Sequence, residues 1–107
     1  MIDDGHAIHY AAVPRGTPVY SSDEVQVGTV VSILDNYREH ILDGVVFKDH
    51  DGVRRFADGP EVRRTAERGV TLTLAAEEAA ELPPPPKRGS RFAARQAAAR
   101  LGRRWRR

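Results

Sequence analysis

From Gly16 onward, turn signals recur every eight to twelve residues and divide the chain into short runs rich in β-branched residues. That spacing leaves no room for a long helix and favours a small antiparallel barrel or sandwich. The first run is Pro18-Val19-Tyr20, closed by the polar turn Ser21-Ser22-Asp23-Glu24. A longer run from Val25 to Leu34 follows, with Gly28 inside it, and a glycine inside a strand marks a bulge or a sharp bend. Ile41 to Lys48 is the next strand. Asp49-His50-Asp51-Gly52 is a hairpin turn of the Asp-Gly type, and Val53 to Phe56 returns from it. Asp58-Gly59-Pro60 breaks the chain before a second hairpin, Glu61 to Ala66 and Val70 to Leu74 around Glu67-Arg68-Gly69. In that last strand Val70, Leu72 and Leu74 alternate with threonines and share one face.

On either side of this region the pattern changes. Residues 1–13 have little periodicity and read as a lead-in that contributes an edge strand near Ala7–Tyr10. Ala75 to Glu81 is Ala/Glu-rich and predicts a short helix, with Leu82 packing back onto the strands. Pro83 to Pro86 stop that helix and favour polyproline II, a semi-rigid spacer about 12 Å long at roughly 3.1 Å per residue. The expected division is a lead-in over 1–13, a β domain over 14–82 that folds alone, a hinge over 83–89 and a tail over 90–107.

Charge follows the same division. Residues 83–107 hold nine basic side chains and no acid, whereas residues 1–82 hold eight basic and all fifteen acidic ones, so a body of net charge −7 carries a tail of +9. Such asymmetry bears on partners rather than on fold. Ser90 is a good helix N-cap. On a helical wheel Ala94, Ala97, Ala98, Leu101 and Trp105 share one narrow face, and Arg91, Arg95, Arg100, Arg103, Arg104, Arg106 and Arg107 fill the rest. Gly102 weakens this helix by about 1 kcal/mol relative to alanine, and a helix of this length is marginal in water, so it is expected to order on a partner. The planar guanidinium fork suits phosphate, and the seven arginines are the expected phosphate contacts. Leu101 and Trp105 form the apolar face that a membrane-anchoring role would insert into an anionic leaflet.

Other constellations are weaker. With no cysteine, the chain has no disulfide, thiolate nucleophile or Cys-based zinc site. His6 and His9 stand three apart beside Asp3 and Asp4, but nothing downstream supplies a third ligand, so no metal is expected. Asp49, His50 and Asp51 sit on a hairpin tip, where side chains diverge into solvent rather than converge as acid–base catalysis needs. Ser21, Ser22 and Ser32 lack a nucleophile-elbow context, and no glycine-rich phosphate loop occurs. No enzymatic activity, cofactor or small-molecule substrate is expected. The first residues, Met1-Ile2-Asp3-Asp4-Gly5-His6, are acidic where a signal peptide is basic, and no run approaches the roughly 18 apolar residues of a membrane span, so a cytoplasmic location is expected.

The stretch from Gly16 to Pro83 resembles the PRC-barrel family, the small barrels of the photosynthetic reaction-centre H subunit and of a ribosome maturation factor. The resemblance rests on Gly16-Thr17-Pro18-Val19-Tyr20, Asp23, Val27-Gly28-Thr29-Val30, Gly44-Val45-Val46-Phe47, Arg55-Phe56, Pro60-Glu61-Val62, Val70-Thr71-Leu72 and the terminal Leu82-Pro83. Glu24-Val25 stands where that family commonly has a turn glycine. The resemblance implies an all-β fold, a compact barrel of about six strands used as an adaptor rather than as an enzyme, and a protein partner is expected for it. It carries over no catalytic residue and does not cover the tail.

Overall fold

A computed structural model describes residues 2–36, 39 and 41–86. The fold is mostly β: one six-stranded sheet curled into a half-barrel, with one short helix. The strands are β1 (Pro18–Tyr20), β2 (Gln26–Asn36), β3 (Ile41–Lys48), β4 (Arg54–Asp58), β5 (Val62–Ala66) and β6 (Gly69–Leu72), followed by α1 (Ala76–Ala79). Their spatial order is β4-β3-β2-β1-β6-β5. Every neighbouring pair is antiparallel except β1 and β6, which run parallel with Val19 opposite Val70 and Tyr20 opposite Thr71.

β4 and β5 lie at opposite ends of this order yet are joined by only three residues, the single 3-10 turn Gly59–Glu61. Three residues reach roughly 10 Å even when extended. The sheet must therefore curl until its two ends almost meet. The turn is tightly built: Asp58 and Glu61 are 1% and 2% exposed, and the Asp58 amide donates to Glu61 Oε1 at 3.0 Å. Gly59 lies directly under the Leu42 carbonyl of β3, where no side chain fits.

Curling requires local bends, and the sequence provides them. The β1–β2 register shifts between Val19 and Tyr20, and the β2–β3 register shifts between Val30 and Ser32. Gly28 lies between these irregularities, packed so closely on the Lys48 carbonyl and the Phe47 ring that a Cβ there has no space. Strand alternation then sorts the apolar residues. Val19, Val30, Val45, Phe47, Ala57, Val70 and Leu72 face the main core, which Val13, Leu74, Ala79 and Leu82 complete from outside the strands. Val46 and Phe56 form a smaller cluster with Val31 and Leu34 on the other face.

The expected barrel of about six strands is thus a curled half-barrel of six, and each end strand takes another partner. Along β5, the Ile8 amide donates to Thr65 O at 3.0 Å, Glu67 N to His6 O at 3.0 Å and Arg68 N to Asp4 O at 2.8 Å. Along β4, the Phe56 amide donates to Pro83 O at 2.8 Å, and Arg55 Nη1 reaches Leu82 O at 2.7 Å. The lead-in segment is not the edge strand expected over Ala7–Tyr10. It makes one bridge, Ala7 to Ala66, before Tyr10–Ala12 wind into a 3-10 turn capped by His9 Nδ1, which accepts from Ala11 N at 3.1 Å.

Candidate functional site

The arginines singled out by the sequence, Arg91, Arg95, Arg100, Arg103, Arg104, Arg106 and Arg107, lie outside the described residues, as do Leu101 and Trp105. The structure does place the point from which they depart. Leu82 is buried in the main core, and its carbonyl and that of Pro83 are held by Arg55 and by the Phe56 amide. The chain beyond Pro83 therefore leaves from the outer edge of β4.

Arg55 also donates through Nε to Asp49 Oδ2 at 3.1 Å, which ties this exit point to the β3–β4 turn. Asp49 holds the turn from inside, its Oδ1 accepting from the amides of Asp51 and Val53, both at 2.9 Å. These bonds, led by the Val53 amide and joined by Arg55, hold its carboxyl below the usual range. The His50 Nε2 lies 2.8 Å from the Gln26 carbonyl. Asp49 and His50 are thus engaged with different partners and do not form an acid–base pair.

Beside this turn lies a small recess of about 250 Å3. Val25, Val27, Ala76, Ala79 and Ala80 provide its apolar walls, and Asp49, His50 and Asp51 its rim. Val25 is 47% exposed at its mouth. The recess forms because α1 docks against the β1–β2 turn. Ala75 has no capping side chain, and Asp23 of that turn supplies one across the chain, its Oδ1 accepting from Ala76 N at 3.1 Å. The Ser21 hydroxyl donates to the same carboxylate and is the main cause of its lowered pKa, with the Ala76 amide adding to it.

A second, wider groove of about 810 Å3 runs between residues 2–5 and the 22–24 turn, over Arg63, Arg64 and Thr71. Its charges are largely paired. Arg64 donates to both Asp4 oxygens, at 2.8 and 3.3 Å, and to Gly5 O at 2.8 Å, and this fork pulls the Asp4 pKa below its ordinary value. Arg68 takes Asp3 at 3.1 Å. At the far end of the β2–β3 hairpin, Asp43 is pushed the other way, raised first by burial and then by the negative charges of Asp35 and Glu39.

Among the described residues, no three His, Cys, Asp or Glu side chains group where they could hold a metal ion. Nor is any helix among them long and apolar enough to cross a membrane. The sequence reading found the Asp49–Gly52 turn and the packing of Leu82. It missed the recess and the Asp4–Arg64 fork, since both join residues far apart in the chain with no local signature. No protein-family model matches this chain, and no curated protein matches it.

Proposed function

We propose that the chain is a non-enzymatic cytoplasmic adaptor. Its half-barrel is a PRC-like module that binds a protein partner, and its arginine-rich segment over residues 90–107 binds nucleic acid or ribosomal RNA. The observation that carries this reading is the division of charge, −7 before Pro83 against +9 after it. A +9 segment attracts a polyanion by releasing its condensed counterions, and an acidic body takes no part in that contact. The structure supports the reading in one respect: Leu82 and Pro83, a few residues before the basic segment, are pinned at β4. The adaptor role of the body draws further support from its two capped edges, which turn partners away from strand addition and towards side-chain surfaces.

A peripheral membrane role is the second reading, favoured by Leu101 and Trp105 sharing the narrow face of the tail. Three alanines complete that face, which leaves little apolar area for a bilayer. The primary test compares the whole chain with residues 1–86 for binding to structured RNA and duplex DNA across a salt series. If about six basic groups contact phosphate, log K on duplex DNA falls with log salt at a slope near −5. Undiminished binding by residues 1–86 would overturn the reading. Affinity capture with the same pair then assigns protein partners to the body or to the tail.

A further inference from the structure

We propose that the recess between α1, the start of β2 and the β3–β4 turn is a docking site for this chain's own C-terminal segment, with Trp105 seated against Val25 and Ala79. This rests on the polyanion reading for its consequence, competition between body and nucleic acid for one tail, but not for its geometry.

The first argument is size. At about 250 Å3 the recess falls below the roughly 300–1,000 Å3 of small-molecule sites. It suits one large side chain: Val25, Val27, Ala76, Ala79 and Ala80 give an indole apolar walls, and Gln26, Asp49, His50 and Asp51 complete the lining. The chain has a single tryptophan, Trp105, with Leu101 one helical turn before it on the same face.

The second argument is charge. The three segments that build the recess, residues 23–27, 49–51 and 75–81, hold seven acidic side chains and no lysine or arginine. Arg55, the cation that reaches into this region, is occupied by Asp49 and the Leu82 carbonyl. Asp51, Glu77 and Glu81 are exposed around it. A helix that buries Trp105 here carries Arg103, Arg104, Arg106 and Arg107 beside it, opposite in sign to the exposed Asp51, Glu77 and Glu81.

The third argument is reach. The chain leaves the body at Pro83, next to Arg55 and hence to the Asp49 rim of the recess. Pro83 to Pro86, three of them half-buried, span about 12 Å in polyproline II. Residues 87–89 add roughly 10 Å if extended. A helix from Ser90 returns Trp105 by about 22 Å. The two legs are of similar length, so the chain after Pro83 is long enough to bring Trp105 back to the recess.

The test uses the whole chain, with Trp105 as its own probe. Acrylamide quenching is measured at low salt and compared with a synthetic peptide of residues 87–107, in which the indole is open to solvent. Docking predicts quenching several-fold weaker in the chain. It also predicts return to the peptide's value in Val25→Asn and in Ala80→Asn, two exposed sites whose replacement leaves the β-sheet circular dichroism and the melting temperature unchanged. Quenching equal to the peptide's in the unmodified chain overturns the proposal. So does protection that survives both substitutions, which would put Trp105 elsewhere, or protection lost on dilution in step with a change in mass, which would make the occupant a second copy. Structured RNA added to the docked chain should restore peptide-like quenching, and Val25→Asn should tighten RNA binding, because the competent tail is no longer partly sequestered. A protected Trp105 in a chain that binds neither RNA nor DNA leaves docking standing and removes the polyanion role. Salt-dependent RNA binding with a fully quenched Trp105 does the reverse.

Discussion

A single residue at the hinge tests how the half-barrel closes its β4 edge. Stopping the chain after Leu82 keeps every strand, α1 and the buried leucine, and leaves a terminal carboxylate that Arg55 can still grip. What it removes is the Pro83 carbonyl, which accepts from the Phe56 amide at 2.8 Å. Phe56 is fully buried with Pro83 in place. A buried donor left without its acceptor costs about 1–3 kcal/mol. For a domain of this size each kcal/mol moves the melting temperature by roughly 4–8 °C. Taking about 2 kcal/mol as the centre, residues 1–82 should melt about 8–16 °C below residues 1–86. Adding back Pro83 alone should restore most of the difference, because its terminal carboxylate supplies the acceptor. Thermal unfolding followed by circular dichroism decides it. Equal melting temperatures for 1–82 and 1–86 would refute the assignment of Pro83 to the sheet, as would a gain that appears only when Pro84 to Pro86 are restored.

Four further outcomes are expected. Gly28→Ala should destabilise by about 1–3 kcal/mol in urea unfolding, since its methyl group must displace the Lys48 backbone or the Phe47 ring; a neutral result would mean that β2 can straighten at no cost. Asp43→Asn should stabilise the protein at neutral pH: the folded-state pKa is raised, so ionising Asp43 opposes folding above that value, and the advantage of asparagine should fade as pH falls towards 3.8. The depressed carboxyls of Asp4, Asp23 and Asp49 act in the opposite sense, their stabilisation being full above 3.8 and lost as pH falls through their folded values, so the unmodified protein should weaken in acid. Replacing Leu101 and Trp105 together by alanine should abolish binding to anionic vesicles, yet change RNA affinity by less than about tenfold, because the arginines carry the phosphate contacts; the opposite ranking, read from flotation and filter binding, would favour the membrane role.

The strands were legible where local chemistry decides them. Ile41–Lys48 has the same bounds in both readings because a β-branched run meets an Asp-Gly turn, with Gly52 at φ +80°. Val70, Leu72 and Leu74 are all buried, as their alternation requires. Local signals failed where a partner distant in sequence decides. β4 runs on past Phe56 to Asp58, because Ala57 and Asp58 continue the ladder opposite Val45 and Gly44. Asp4 is tied down by Arg64, sixty positions away, and nothing near either residue announces it. The parallel contact between β1 and β6 has no sequence signature at all. Glu24 is an instructive middle case. It adopts φ +65°, a backbone region that glycine occupies without strain, so the departure from glycine noted in the sequence falls at a position whose geometry suits one.

That parallel contact also governs how the molecule must assemble. β2, β3 and β4 form a meander of neighbours in sequence, and β5 and β6 form a hairpin, so both can arise early from short loops. β1 pairs with β6 at Val19–Val70 and Tyr20–Thr71, across about fifty intervening residues. The entropy of closing that long loop is met before those two pairs repay it. The seam between β1 and β6 is therefore expected to form last, and the meander and the hairpin are the units from which a misassembled or strand-exchanged form of this protein would be built.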